Sequence, residues 1–169
     1  MQDFRPAGAA ASPALTVRLR PFQPSDEQTF RRLNEAWIAK YFRMEDKDRI
    51  VLADPAGEIL KPGGRIFMAC VGSAVVGCCA LLRMGPATFE LAKMAVAESH
   101  QGQGIGRKLV EHTIAQARTL GASGLYLETN SRLANAIHLY ESAGFRRIPP
   151  ERMKPSPYAR ADVQMEMTL

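Results

Sequence analysis

A glycine-rich turn between an apolar strand and an amphipathic helix constrains this chain more than any other feature. The strand is predicted over Glu90 to Val96, and the turn follows as Gln-Gly-Gln-Gly-Ile-Gly at 101–106. Three glycines at alternate positions let the backbone approach a ligand closely and leave N–H groups pointing into the turn. Apolar residues then recur at helical spacing, so the turn is also a helix N-terminus with partial positive charge. These residues are Ile105, Leu109, Thr113, Ala117 and Leu120. The combination predicts an anion-binding site.

Two common phosphate-binding patterns do not fit this turn. A nucleotide-hydrolase loop needs a lysine and a hydroxyl residue after its last glycine, but Gly106 is followed by Arg-Lys-Leu. The dinucleotide pattern Gly-x-Gly-x-x-Gly also fails, because its third glycine would fall on Arg107 when counted from Gly102. Counted from Gly104 it would fall on Leu109. The pattern that is present is Gln-x-x-Gly-x-Gly, formed by Gln101, Gly104 and Gly106.

A second segment, at 136–145, reads Ala-Ile-His-Leu-Tyr-Glu-Ser-Ala-Gly-Phe. Together with the Gln-x-x-Gly-x-Gly turn, it resembles the two signatures of the GNAT superfamily of acetyl-CoA-dependent N-acetyltransferases. The two motifs cover about 90–148, and the predicted element order extends the resemblance over most of the chain. The resemblance implies an α/β fold with a mixed central sheet of about six to seven strands and about four helices. It also implies direct transfer of an acetyl group from acetyl-CoA to a primary amine, without a metal.

Length and composition set the broad class. The 169 residues predict a single domain at 14–169 after a flexible tail at 1–13. No apolar run approaches the roughly 20 residues that cross a bilayer, which excludes a membrane protein. Three cysteines without metal-ligand spacing predict buried thiols in a reduced, cytoplasmic protein. The net charge of +5 suits a polyanion such as coenzyme A, whereas the scattered basic residues argue against nucleic acid as a partner.

Hydrophobic periodicity and turn residues predict the other elements. The predicted strands are 15–20, 65–71, 74–83, 125–127, 145–148 and 162–169, and the second and third form a hairpin around 72–73. The predicted helices are one capped by Ser25 or Asp26, a short one at 45–53, and one that ends at Gly144. The proline-rich segment 149–158 is predicted to be irregular, either as a plain connection or as a lid over the substrate.

The resemblance also implies which residues contact acetyl-CoA. Backbone groups of Met94, Ala95 and Val96 would pair with the pantetheine amides and donate to the thioester oxygen. The pyrophosphate would lie on the loop formed by Gln101, Gly102, Gln103, Gly104, Ile105, Gly106 and Arg107. Members of the family commonly carry an asparagine seven residues before their tyrosine, but that position here is Leu133. Whether Asn130 or Asn135 contacts the cofactor instead is open.

Three residues are candidates for proton transfer. Tyr140 matches the position that in this family usually protonates the departing thiolate. The amine must lose a proton before it can attack, which requires a carboxylate or a water chain. Glu90 matches the base of the histone-acetylating branch, and strand alternation is expected to place it on the face of Met94 and Val96. Glu128 matches the base of the ribosomal-protein and N-terminal branch.

The acceptor amine is not fixed by these motifs, because they concern the cofactor. A small amine or amino-acid-like metabolite is the favoured substrate, with Arg160 as a candidate partner for its carboxylate and Tyr158 beside it. The aromatic cluster Trp37, Tyr41 and Phe42 either lines that pocket or packs helices on the sheet. The alternatives are acetylation of protein N-termini or lysines, and a non-catalytic acyl-CoA sensor. A homodimer formed through the last strands is also allowed.

Overall fold

The computed structural model describes residues 15–169, so the predicted tail at 1–13 lies outside the described residues. The strands are β1 Val17–Pro21, β2 Arg65–Val71, β3 Ala74–Arg83, β4 Thr88–Val96, β5 Gly124–Thr129, β6 Arg146–Arg147 and β7 Val163–Thr168. They form one sheet in the order β1-β2-β3-β4-β5-β7-β6. The α-helices are α1 Glu27–Tyr41, α2 Asp46–Ala53, α3 Ile105–Thr119 and α4 Ala134–Ala143, and a π-helical turn spans Ala56–Leu60. The predicted fold class is confirmed.

Helices cover both faces of the sheet. α3 and α4 pack on one face, over a core that includes Phe67, Leu109, Leu127 and Ile137. α1 and α2 pack on the other face, over a core that includes Phe30, Val51, Leu52 and Met68. All three cysteines are buried and free, as predicted. Among the described residues, none of the helices is long and apolar enough to cross a membrane.

Most element boundaries follow local signals. β2 and β3 occupy their predicted ranges, with Gly72 turning between them at a φ of 59°. α4 ends at Gly144, whose φ of 111° is in the left-handed region that glycine tolerates. Asp26 stands at the N-cap of α1, but its carboxylate makes no cap bond to that helix. It accepts hydrogen bonds of 2.6 and 2.8 Å from Arg20 and one of 2.7 Å from the Gln23 N–H instead.

The central strand β4 has an unusual environment. It pairs antiparallel with β3 along most of its length, but its parallel pairing with β5 covers only three residues, from Thr88 to Glu90. Beyond Glu90 the two strands diverge although both continue. Since side chains of α1, α4 and β5 meet at this opening, the divergence positions the site described below.

A β-bulge interrupts β4 just after that point. The register with β3 shifts between the pairs Cys78–Ala95 and Ala80–Ala92, and Lys93 takes a φ of +52°. An extra residue in a strand moves the following side chains to the opposite face. Met94 and Val96 accordingly pack with the core beneath α3. The expectation that Glu90 shares their face is wrong: its cross-strand partner Leu82 packs against the core beneath α1.

Candidate functional site

A cavity lies where β4 and β5 separate. Its walls come from α1, α2, both strands, α4 and the segment that precedes β7. The lining residues include Trp37, Phe42, Lys47, Glu90, Lys93, Glu128, Asn130, Tyr140, Tyr158 and Arg160. All three predicted proton-transfer residues therefore line one cavity, although they come from three different elements.

The glycine-rich loop leaves the start of α3 free to bind an anion. Gly102 and Gly104 have φ values of +73° and +79°, and a Cβ at either would meet nothing within 4 Å. Glycine is thus favoured here by backbone conformation rather than by space. Gly104 is the N-cap and provides no side chain to cap the helix, and the first intrahelical bond is from the Lys108 N–H to the Gly104 carbonyl, at 3.1 Å. The N–H groups at 105–107 have no intrahelical acceptor, so the loop suits a pyrophosphate.

Several side chains of the predicted cofactor-binding loop hold the loop in shape. Gln101 donates a 3.0 Å hydrogen bond to the Val96 carbonyl, which ties the loop to the end of β4. Gln103 reaches the Ser99 carbonyl at 3.5 Å. Arg107 donates to the Ser142 hydroxyl at 3.2 Å and so links α3 to α4. Ile105 is buried in the core below the loop. The backbone of the loop therefore remains the part available to a ligand.

The end of β4 presents backbone groups to the opening. The Ala97 N–H donates to the Val76 carbonyl of β3 at 2.8 Å. Because N–H directions alternate along a strand, the Val96 N–H points to the other edge, where β5 has diverged. This edge suits the extra strand-like pairing that the resemblance implies for the segment from Met94 to Val96.

The two candidate asparagines have different surroundings. Asn130 donates a 2.6 Å hydrogen bond to the Arg160 carbonyl and accepts one from the Arg132 N–H at 2.9 Å. Its amide thus organises the turn after β5, although the residue also lines the cavity. Asn135 is exposed on the first turn of α4. Leu133, at the position where relatives commonly carry asparagine, also lines the cavity.

Glu90 lies within the cavity, and among residues 15–169 its carboxylate has no hydrogen-bond or ion-pair partner. Burial raises the pKa of Glu90 to about 7, and repulsion by Glu128 adds to this rise. Lys93 and Lys47 oppose it more weakly. A carboxylate with a pKa near the working pH can both accept and release a proton, which a general base requires.

Glu128 is held by two hydroxyl groups. Tyr126 donates to one carboxylate oxygen at 2.8 Å, and Ser156 donates to the other at 2.7 Å. Of the two candidate bases, Glu90 is the one whose acceptor sites are free for a substrate proton.

Tyr140 is 8% exposed and packs edge-on against Phe145, with ring centroids 6.1 Å apart. Its phenol makes no hydrogen bond within the described part of the chain, and the residue borders the cavity. Burial raises the pKa of Tyr140, so the phenol stays protonated across the neutral range and can act as a proton donor.

A buried ionic cluster next to the cavity was not predicted. Asp48, which is fully buried, accepts two hydrogen bonds from Arg160, at 2.6 and 2.8 Å, and one from Lys93 at 2.9 Å. Arg160 also contacts Glu45 at 3.0 Å. Burial alone would raise the pKa of the Asp48 carboxyl, but the hydrogen bonds from Arg160 and Lys93 outweigh it and hold the pKa at about 2. The one local signal was a lysine inside an apolar strand, Leu-Ala-Lys-Met.

The cluster anchors the segment before β7. The Lys93 ammonium donates a 3.0 Å hydrogen bond to the Tyr158 hydroxyl oxygen, and its Nζ lies 4.8 Å from the center of the Tyr158 ring. The Arg160 guanidinium carbon also lies 4.6 Å from the center of the Tyr158 ring. The Ala159 N–H donates to Glu45 at 2.7 Å. The proline-rich segment therefore forms a wall of the cavity that is fixed to α2 and β4.

The aromatic cluster both lines the cavity and packs a helix on the sheet, the two alternatives considered for it. Trp37, Tyr41 and Phe42 contact one another, with ring centroids 5.6 to 6.3 Å apart. Trp37 and Phe42 pack against the core beneath α1, and both also line the cavity. Tyr41 is 39% exposed and does not reach the cavity.

Sequence comparison with known proteins identifies the family of this chain. A family model described as the acetyltransferase (GNAT) family matches residues 22–145. The uncharacterized N-acetyltransferase YvbK of Bacillus subtilis is 34% identical over 102 residues, which are 59% of this chain and 66% of that protein. The ribosomal protein bS18 alanine N-acetyltransferase of Escherichia coli K12 is 46% identical over 62 residues, 37% of this chain and 42% of that protein. The matched region covers less than two thirds of either relative.

Solved structures share the fold. A GNAT-family acetyltransferase from Staphylococcus aureus Mu50 superposes with a TM-score of 0.81 at 19% identity, covering 90% of this chain and 99% of that one. A Bacillus subtilis acetyltransferase in complex with CoA superposes with a TM-score of 0.69 at 23% identity, covering 91% and 99%.

Proposed function

Because the chain belongs to the acetyltransferase (GNAT) family, we propose that it transfers an acetyl group from acetyl-CoA to the primary amine of a small molecule. The observation that carries this proposal is Glu90, whose carboxylate has no partner among residues 15–169 and a pKa of about 7, in the same cavity as the phenol of Tyr140. A non-catalytic sensor would not need a base and an acid at one opening.

The loop and the diverging strands fit acetyl-CoA. The uncapped start of α3 would hold the pyrophosphate, and the free edge of β4 at Met94 to Val96 would hold the pantetheine arm. When bound, acetyl-CoA supplies an acetyl thioester at the opening. No covalent attachment to the protein is needed, and the buried cysteines are poor nucleophiles because burial raises the pKa of Cys78 and Cys79 to about 12.

Each proton-transfer residue then has a defined task. Alkyl amines have a pKa near 10, so about one in a thousand molecules is unprotonated at neutral pH. Glu90 accepts the proton that the amine must lose, and a backbone N–H at the end of β4 donates to the carbonyl oxygen as its charge grows. Tyr140 donates its hydroxyl proton to the departing thiolate. Repulsion by Glu128 helps to keep the pKa of Glu90 high.

A second substrate class is acetylation of a protein N-terminus. It is supported by the 46% identity to the bS18 alanine N-acetyltransferase over 62 residues. A thiol-release assay over a panel of small amines and of peptides with free N-termini tests both classes. Turnover of a small amine supports the proposal, and turnover of peptides alone would replace it with the second class. Binding of acetyl-CoA without thiol release from any acceptor would favour the sensor.

A further inference from the structure

We propose that the acceptor is a compact amine that carries no carboxylate, because the cations of the cavity are already neutralised and its wall is fixed. This inference rests on the proposed function and narrows its substrate class. It excludes the carboxylate-binding role considered above for Arg160.

Three cationic residues line the cavity, and each has an acidic partner. The Arg160 guanidinium is bound by both oxygens of Asp48 and by Glu45, and its side chain is 17% exposed. The Lys93 ammonium, whose side chain is 6% exposed, is bound by Asp48 and by Tyr158. The Nζ of Lys47 lies 3.6 Å from a carboxylate oxygen of Glu58. A substrate carboxylate would therefore be buried without a counterion of its own.

The groups that remain free suit an ammonium. Glu90 has no protein partner within the described residues, and Glu128 carries a second negative charge in the same cavity. The rings of Trp37, Phe42 and Tyr158 supply aromatic surface, which attracts cations through its electron-rich faces. A carboxylate next to the reacting amine would face two like charges there, whereas a plain amine would not.

The fixed wall limits the size of the acceptor. Ser156 is bonded to Glu128 of β5 at 2.7 Å, Tyr158 to Lys93 of β4 at 3.0 Å, and Ala159 to Glu45 before α2 at 2.7 Å. The segment thus links β5 to α2 along one wall of the cavity. A polypeptide chain that continues past its reacting amine in this direction would have to break these bonds.

Matched pairs of acceptors test the inference in the thiol-release assay. Phenethylamine is compared with phenylalanine and cadaverine with lysine, since the members of each pair differ only by a carboxylate. We expect kcat/KM to be at least tenfold higher for the member without the carboxylate in any pair that turns over. Equal or greater activity with the amino acid of a pair overturns the inference and leaves the proposed function standing. Equal activity with a small amine and with an alanine-initiated peptide does the same, whereas turnover of the peptide alone overturns both. Thiol release from none of the acceptors overturns both.

Variants of the ionic cluster test whether its ion pairs cause the preference for amines without a carboxylate. Asp48→Asn should remove the carboxylate that Arg160 and Lys93 share, which leaves Glu45 as the remaining acidic partner of Arg160, and should reduce the within-pair preference at least threefold. Glu45→Gln should reduce it in the same direction, and this less buried site carries the test if Asp48→Asn does not fold. Asp46→Asn is the matched control, because Asp46 is an exposed acid on the same helix turn and its carboxylate pairs with Arg49, outside the ionic cluster. An unchanged preference in a folded Glu45→Gln protein and in any folded Asp48→Asn protein overturns the inference.

Discussion

Replacement of Glu90 by glutamine should remove activity and stabilise the fold at the same time. The amide keeps the size of the side chain but can neither ionise nor accept a proton from the amine. Loss of a general base typically costs about 10²- to 10⁴-fold in rate. A carboxylate that is buried without a partner destabilises the folded state whenever it is ionised, so the same change should raise stability.

The size of the stabilisation follows from the pKa of Glu90, which is 4.5 ordinarily and about 7 in the fold. Between these values the folded chain binds more protons than the unfolded chain, so wild-type stability falls as pH rises. At 1.36 kcal/mol for each unit of pKa, the full cost above pH 7 is about 3 kcal/mol. Glu90→Gln should match the wild type near pH 4.5 and exceed it by up to about 3 kcal/mol at pH 8. For a chain of this length, that is about 6 to 12 °C in Tm.

Two measurements check this prediction: thermal unfolding at pH 5 and pH 8, and kcat/KM across the same range. Wild-type kcat/KM should rise with pH through about 7. Glu27→Gln is the control, because Glu27 is an exposed acid that begins α1. This change should leave the pH dependence of Tm and of kcat/KM as in the wild type. A Glu90→Gln protein with the wild-type rate and pH profile would show that Glu90 is not the base. A Tm difference that is the same at both pH values would contradict the link between ionisation and stability.

Three further substitutions probe neighbouring groups. Glu128→Gln should lower the pKa of Glu90, since it removes the negative charge that helps to raise it, and should shift the acidic limb of the kcat/KM profile to lower pH. Tyr140→Phe should lower kcat about 100-fold or more while leaving the unfolding midpoint nearly unchanged, because the phenol makes no hydrogen bond to any described residue that could be lost. Asp48→Ala should cost about 3–5 kcal/mol in urea unfolding, because it leaves the buried Lys93 without a carboxylate partner and Arg160 with Glu45 alone. The exposed Asp46→Ala should change the free energy of unfolding by less than about 0.5 kcal/mol.

Local patterns in the sequence predicted the elements and their order well. Alternation and turn residues gave β2 and β3 their full ranges, because both strands are buried and bounded by glycine. The final strand was predicted one residue too long at each end, at 162–169 rather than Val163–Thr168. The strand at 145–148 is reduced to Arg146–Arg147, since the Pro149-Pro150 pair that follows ends the pairing.

Features that depend on contacts distant in sequence could not be predicted. Lys93 meets Asp48 across 45 positions and Asp48 meets Arg160 across 112, and no local pattern encodes either pair. The bulge at Lys93 also escaped prediction, because alternation in Glu90 to Val96 looks regular when the extra residue is not known. Both candidate bases nevertheless line the cavity, and the role of either as the base stays a prediction.

The short pairing between β4 and β5, three residues long, has a consequence for how long the protein survives in the cell. The sheet is left unfinished at its center, and an acyl-CoA that pairs along the free edge of β4 would complete it. A ligand that binds only the folded chain stabilises it by about 2.7 kcal/mol at 100 times its Kd. The lifetime of the protein against proteolysis would then follow the supply of acyl-CoA, so that starvation for the donor would reduce the amount of enzyme as well as its rate.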